Sequence, residues 1–156
     1  MDIELMAALG RAGAAAVLGL AAIGSAMGTG IAGMAAVGAW KKCYAQSKAA
    51  PFILITFIGA PLSQTIYGMI LMLQIDGAIE TSVSDGAGFI AWPVMLSMGF
   101  FGGLGMAASA CFQGKAGAAG ADALAETGQG FGNYLMTIGI VETVALFVLV
   151  FMLILM

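Results

Sequence analysis

The chain has 156 residues, 62% of them hydrophobic and only 8% charged, with a formal net charge of -3, against roughly 25% charged residues in an ordinary soluble domain. That balance argues against a soluble catalytic domain, and without a basic patch there is no electrostatic footprint for nucleic acid. A membrane span takes about 20 mostly apolar residues, so this length holds several spans and little extramembrane mass.

The opening residues Met1-Asp2-Ile3-Glu4 are acidic where a secretory leader needs a basic region, so the first helix is expected to stay in the mature chain. Four apolar stretches follow, at about 5–40, 51–75, 89–124 and 131–156. The bilayer makes each backbone satisfy its own hydrogen bonds, and the alternating short strands of a closed barrel are absent, so four transmembrane helices are predicted. Pro51 falls at the start of the second helix, where its missing N–H and fixed φ are tolerated. The run Gly128-Gln129-Gly130 separates the third helix from the fourth.

The first connection carries Lys41, Lys42 and Lys48, whereas the second holds Asp76, Glu80 and Asp85 and no base. The positive-inside rule therefore places the lysine loop in the cytoplasm and both termini outside. Helices 1 and 3 are longer than a bilayer needs, so they tilt or protrude. Trp92-Pro93 fits an interfacial anchor. Cys43 and Cys111 have no CxxC spacing and the chain has no histidine, so they read as unpaired thiols.

Sliding the chain by 78 residues superposes its halves, 1–78 on 79–156, as two tandem helical hairpins. Gly24 then falls on Gly102, Ala32 on Ala110, Leu71 on Leu149, and Gln64-Thr65 on Glu142-Thr143. The offset pairs the two most polar mid-helix positions, as expected of a duplicated hairpin in a transport protein that lost one carboxylate.

Glu142 lies near the middle of helix 4. A carboxylate at that depth costs several kcal/mol unless it is protonated, paired or cation-bound, so it marks a functional site by default. Ser63 and Gln64 on helix 2 sit at a similar depth. Gln113 on helix 3 is as far from the second turn as Glu142 is, which puts the two at one level of an antiparallel pair. Tyr67 follows Ser63 by four residues, on the same face, where its hydroxyl can donate to the carboxylate. Taken singly, these polar groups read as interhelical glue worth about 0.6 kcal/mol each; their convergence with Glu142 reads as a site. Hard cations take oxygen ligands, a proton needs only one carboxylate, and Pro61 frees a helix-2 carbonyl, so the surplus of oxygens leans towards Na+.

Small residues crowd helices 1 and 3, with Gly24, Gly28, Gly102 and Gly105 at helical spacing that suits close packing in lipid. Gly28-Thr29-Gly30-Ile31-Ala32-Gly33 spells a GxGxxG string, but it lies inside an apolar helix with no preceding strand, so it is not read as a nucleotide site. Lys115, two residues after Gln113, points away from the site and reads as a snorkelling or lumen-facing lysine.

Together Gly24-Ser25-Ala26 with Gly28, Pro61-Leu62-Ser63-Gln64 with Tyr67-Gly68, Gln113-Gly114-Lys115 and Val141-Glu142-Thr143 resemble the proteolipid (K or c) subunit of vacuolar- and archaeal-type rotary ATPases, above all its bacterial sodium-pumping members. The resemblance implies an all-α, four-span subunit in a homo-oligomeric ring. Its implied Na+ ligands are Ser63, Gln64, Gln113, Glu142 and the backbone carbonyl of Ala60, with Tyr67 in support; Ala60 stands where the sodium-type relatives carry Leu. It further implies a static membrane subunit supplying an arginine, central-stalk subunits, a lipid surround, and a bacterial cytoplasmic membrane. No cofactor is expected beyond the transported Na+ or H+, and ATP hydrolysis belongs to other subunits. A proton rotor and an unrelated four-helix secondary transporter are the other readings the residues allow.

Overall fold

The computed structural model describes residues 1–156 and is all-helical. Four helices are long and apolar enough to cross a membrane: α1 (Ile3–Ala45), α2 (Phe52–Ser84), α3 (Trp92–Thr127) and α4 (Phe131–Ile154). At about 1.5 Å per residue, the 24 residues of α4 span about 36 Å, close to the ~30 Å hydrocarbon core. The 43 residues of α1 make a rod of about 65 Å, so α1 outruns the membrane.

The helices run past the charges that end the apolar stretches. The second stretch predicts a helix end at residue 75, yet α2 continues through Asp76 and Glu80 to Ser84, so only Asp85 lies in the turn that follows. Outside hydrocarbon a carboxylate is no helix breaker, and Arg11 Nε donates to Asp76 Oδ1 at 3.0 Å, tying α1 to this extension. Similarly, α1 runs on through Lys41 and Lys42 and leaves only Lys48 in the first connection. Pro51 precedes a 3-10 turn at Phe52–Leu54, and its carbonyl accepts the Trp40 indole N–H at 2.8 Å, closing the hairpin. The turn between α3 and α4 rests on Gly128 (φ 67) and Gly130 (φ 86), left-handed conformations that glycine adopts without penalty.

The centre of the molecule is the seam between α1 and α3. Side chains on Gly13, Gly24 or Gly28 would run into the backbone of Met95–Leu96, Ala107 and Ala110 respectively, and Gly99 and Gly114 face the backbones of Gly13 and Gly28. One turn of α3, Met98–Gly102, is π-helical and delivers Gly99 to this crossing. The contacts advance together along both helices, Gly13 with Met95 and Gly99, Gly24 with Ala107, and Gly28 with Ala110 and Gly114, so α1 and α3 are parallel. Gly24 lies against Ala107, and Gly102 lies against the side chains of Leu71 and Met152 at ordinary distances.

Two apolar clusters fill the interior. One joins Met6, Val17, Leu71, Ile75, Met98, Met106 and Leu149; the other joins Ala36, Leu54, Phe57, Ala121, Leu124 and Ile138. Between them lie the buried polar residues Gln64, Ser109 and Gln113. The outward faces of α2 and α4 expose Ile66, Leu73, Ile140, Val144, Phe147 and Phe151, which costs nothing against lipid.

Candidate functional site

Helix α2 is interrupted where it meets this polar layer. Ala60–Leu62 form a 3-10 turn around Pro61, which has no N–H to give the preceding turn. In consequence the Ala60 carbonyl accepts both the Ser63 N–H and the Ser63 hydroxyl, the latter at 3.0 Å. The same turn aims Gln64 inward, fully buried.

From Gln64 a chain of hydrogen bonds crosses three helices. Ser63 Oγ lies 3.2 Å from Gln64 Oε1. Gln64 Nε2 donates to Gln113 Oε1 at 2.8 Å and to Ser109 Oγ at 3.4 Å. Gln113 Nε2 donates in turn to Glu142 Oε2 at 3.1 Å and to the Ile138 carbonyl at 3.3 Å. The other carboxylate oxygen, Glu142 Oε1, accepts the Tyr67 hydroxyl at 2.6 Å.

Thus Ser63, Gln64, Tyr67, Gln113 and Glu142 form one connected cluster, with the Ala60 carbonyl at its end. Glu142 is halfway along α4 and only half-buried in the single chain, beside the exposed Thr143 and Val144; its carboxylate reaches inward to Tyr67 and Gln113. No lysine or arginine neutralises it. The ion pairs are Arg11 with Asp76 and Lys42 with Glu126, both near helix ends, and the Lys115 ammonium lies over the Phe112 ring at 4.6 Å. No three of the chain's His, Cys, Asp or Glu residues gather as a metal cluster, and Glu142 stands as a single carboxylate among amides and hydroxyls.

Of the glycines picked out for packing, Gly24 and Gly28 bear on the backbone of α3, whereas Gly105 faces Val148 of α4 and Gly102 faces side chains. The Gly24 and Gly28 crossings hold α3 so that Gln113 reaches both α2 and α4. The sequence marks Ser109 only as one of the small residues of helix 3. It is buried, accepts from Gln64 and donates to the Val141 carbonyl at 3.0 Å. Its spacing of four from Gln113 places both on one face of α3 and is the signal that could have found it. The largest cavity, about 550 Å³ between Lys48, Pro51, Glu126 and Phe131, opens at the loop end and is remote from the cluster.

Fold and site define an all-α integral membrane protein whose four spans surround one unneutralised carboxylate. Residues 96–155, which cover nearly all of α3 and α4, match the family model that describes the C subunit of ATP synthase. No curated protein matches the chain.

Proposed function

We propose that this chain is the ion-carrying subunit of a membrane rotor in a rotary ATPase, and that Glu142 loads and releases the transported cation. The observation that carries this reading is the meeting of Tyr67, Gln113 and Glu142 in one hydrogen-bonded group at mid-span, on a pair of helices similar to the C subunit of ATP synthase. A cation-bound Glu142 is net neutral and can face lipid as a ring turns; the empty carboxylate cannot do so cheaply. An arginine on a static partner subunit would attract the emptied carboxylate and expel the ion, a residue this chain lacks, since its only arginine is Arg11.

The transported ion in this reading is sodium. Ser63, Gln64, Gln113, Glu142 and the Ala60 carbonyl offer more oxygens than a proton requires. A proton rotor is the second reading; in its favour, both amides in the chain of bonds turn N–H groups towards the Glu142 side. A family match over residues 96–155 supports reading residues 79–156 as one hairpin unit and residues 1–78 as a second, whose Gln64 stands where Glu142 does. One carboxylate per four helices moves fewer ions per turn. At about 2.3 kcal/mol per charge per 100 mV, a vacuolar-type pump with fewer ions per ATP sustains a steeper gradient than a synthase. The lysine-bearing connection faces the cytoplasm of a bacterial cell, where stalk subunits would engage the ring.

Carbodiimide, which attacks the protonated carboxyl, supplies the test. With sodium present at neutral pH, modification of Glu142 is expected to slow at least tenfold, measured by mass spectrometry of the intact chain. Equal rates with and without sodium would rule out the sodium reading and leave the proton one. A small oligomer in place of a large detergent-resistant ring would instead favour a secondary transporter.

A further inference from the structure

We propose that Ser109 is a positioning residue for Glu142, docking α4 on α3 through the Val141 carbonyl; this rests on the reading of Glu142 as an ion carrier. Helix α4 is the least embedded of the four spans. It buries only Ile138, Ala145 and Leu149, and helices in lipid have no hydrophobic drive to pack against one another. Most of its border with α3 is van der Waals contact: Gly120 stands against Tyr134, Gly105 against Val148 and Gly102 against Met152. Contact of that kind has little direction and leaves α4 free to turn or slide slightly.

Directional bonds between the two helices occur at one level. Ser109 Oγ donates to the Val141 carbonyl at 3.0 Å, and Gln113 Nε2 donates to the Ile138 carbonyl at 3.3 Å as well as to the carboxylate. Ser109 and Gln113 are four residues apart on α3, and Ile138 and Val141 are three apart on α4, so each pair shares a face of its helix. Both carbonyls bear directly on Glu142. The Ile138 carbonyl is the helical partner of the Glu142 N–H, and the Val141 carbonyl belongs to the peptide plane from which Glu142 hangs. Holding these two points sets both the height and the rotation of Glu142 on α3.

The two donors divide the work. Gln113 is itself a proposed ligand, so its amide serves the ion as well as the helix. Ser109 is outside that ligand set. A carbonyl can only accept, so the single hydroxyl proton of Ser109 is committed to Val141, and its burial keeps water from competing for it. Its lone pair accepts from Gln64 Nε2 at 3.4 Å. Ser109 therefore ties α4 to the helix that carries Ser63 and Gln64 as well as to α3. The ligand oxygens of α2 and the carboxylate of α4 meet while α4 is docked, and a site built from several groups tolerates displacements of only about 0.5 Å.

The test measures sodium affinity of the purified full-length chain in its native oligomer, by protection of Glu142 from carbodiimide. Ser109→Ala lowers the fraction of α4 in the docked setting, so sodium is expected to bind about fivefold more weakly, the effect of one hydrogen bond. A covalent link in place of the lost bond separates docking from other roles. A side-chain carbon at position 105 would stand 4.0 Å from Val148 Cβ, within the roughly 3.5–4.5 Å that a disulfide bridges. In a Cys43→Ala, Cys111→Ala background, oxidising the pair Gly105→Cys and Val148→Cys is expected to return Ser109→Ala to the parent affinity, and reduction to undo the rescue. Unchanged affinity in Ser109→Ala, the mark of a merely structural serine, overturns the proposal. So does a weakening that the disulfide leaves in place, since a residue acting through the Gln64 amide alone would not be rescued by joining α3 to α4. A second measurement needs no sodium: infrared spectra of protein carrying carbon-13 at its valine backbone carbonyls. A carbonyl that accepts a second hydrogen bond absorbs at lower frequency, so Ser109→Ala is expected to lose a low-frequency valine component; identical bands overturn the docking bond. If that component is lost but sodium fails to protect Glu142 in the parent, the docking stands and the sodium reading falls.

Discussion

The seam between α1 and α3 and the cluster joining α2, α3 and α4 stand at the same depth and are built in opposite ways. In the seam, glycines let backbone lie on backbone, with Gly28 against Ala110 and Gly114 and no side-chain torsion to adjust. In the cluster, contact is carried by hydroxyls and amides that rotate. The rigid half fixes where α3 stands, and therefore where Gln113 stands between α2 and α4. Substitutions in the two halves should consequently differ in kind: seam variants lower stability, and cluster variants change ion affinity while keeping the fold.

The largest effect is expected at the seam. In Gly28→Ala the added carbon would meet the Ala110 backbone as well as Pro61 Cβ at 2.8 Å. Backbone cannot yield as a flexible side chain does, so a loss of about 3 kcal/mol is expected, the upper end of overpacking costs. Gly102→Ala is the control, since its new carbon would have nothing nearer than Leu71 Cδ2 at 3.5 Å; it should cost under about 1 kcal/mol. Thermal unfolding of both variants in detergent checks the contrast, and equal losses would show that the seam is not the rigid element.

Within the cluster, Tyr67→Phe removes the hydroxyl that donates to Glu142 Oε1 at 2.6 Å. A hydrogen bond to a charged group contributes about 1.5–3 kcal/mol and is strongest on the unneutralised carboxylate, so sodium affinity should rise by up to about tenfold while the unfolding temperature changes little. The measurement is carbodiimide protection across a sodium titration. A large drop in stability with unchanged affinity would move Tyr67 from the site to the scaffold.

How much of this was legible in the sequence follows the same division. The four spans, the glycine turn at 128–130 and the isolated carboxylate were readable because hydrophobic run length, positive-φ glycine and the cost of buried charge are local signals. The level of Gln113 beside Glu142 was readable from counting residues to the turn. Helix ends were not, because Asp76 and Glu80 break an apolar run without breaking a helix. Ser109 hid among alanines and glycines, and its role appears only when the Gln64 nitrogen and the Val141 carbonyl are seen on either side of it. The register of α1 on α3 depends on which glycines meet, and a stripe of small residues admits several registers until the packing selects one.

The smallest effect tests whether the comparison extends beyond the membrane interior. Arg11 and Asp76 join α1 to the extension of α2 at 3.0 Å, with their side chains 54% and 42% exposed. Water and salt screen such a pair, and exposed pairs typically contribute 0.2–1 kcal/mol, so Arg11→Ala should lower stability by no more than about 1 kcal/mol. Raising the salt should shrink the difference between variant and parent, because the pair is already weakened in the parent. Sodium affinity should be unchanged, since Asp76 lies about three helical turns beyond Gln64 and the seam holds α1 independently of the pair. Unfolding curves at low and high potassium chloride, paired with the sodium titration, check both points. A loss of affinity in Arg11→Ala would mean that the ends of α1 and α2 help position the site, and the division between a rigid seam and an adjustable cluster would have to be redrawn to include them.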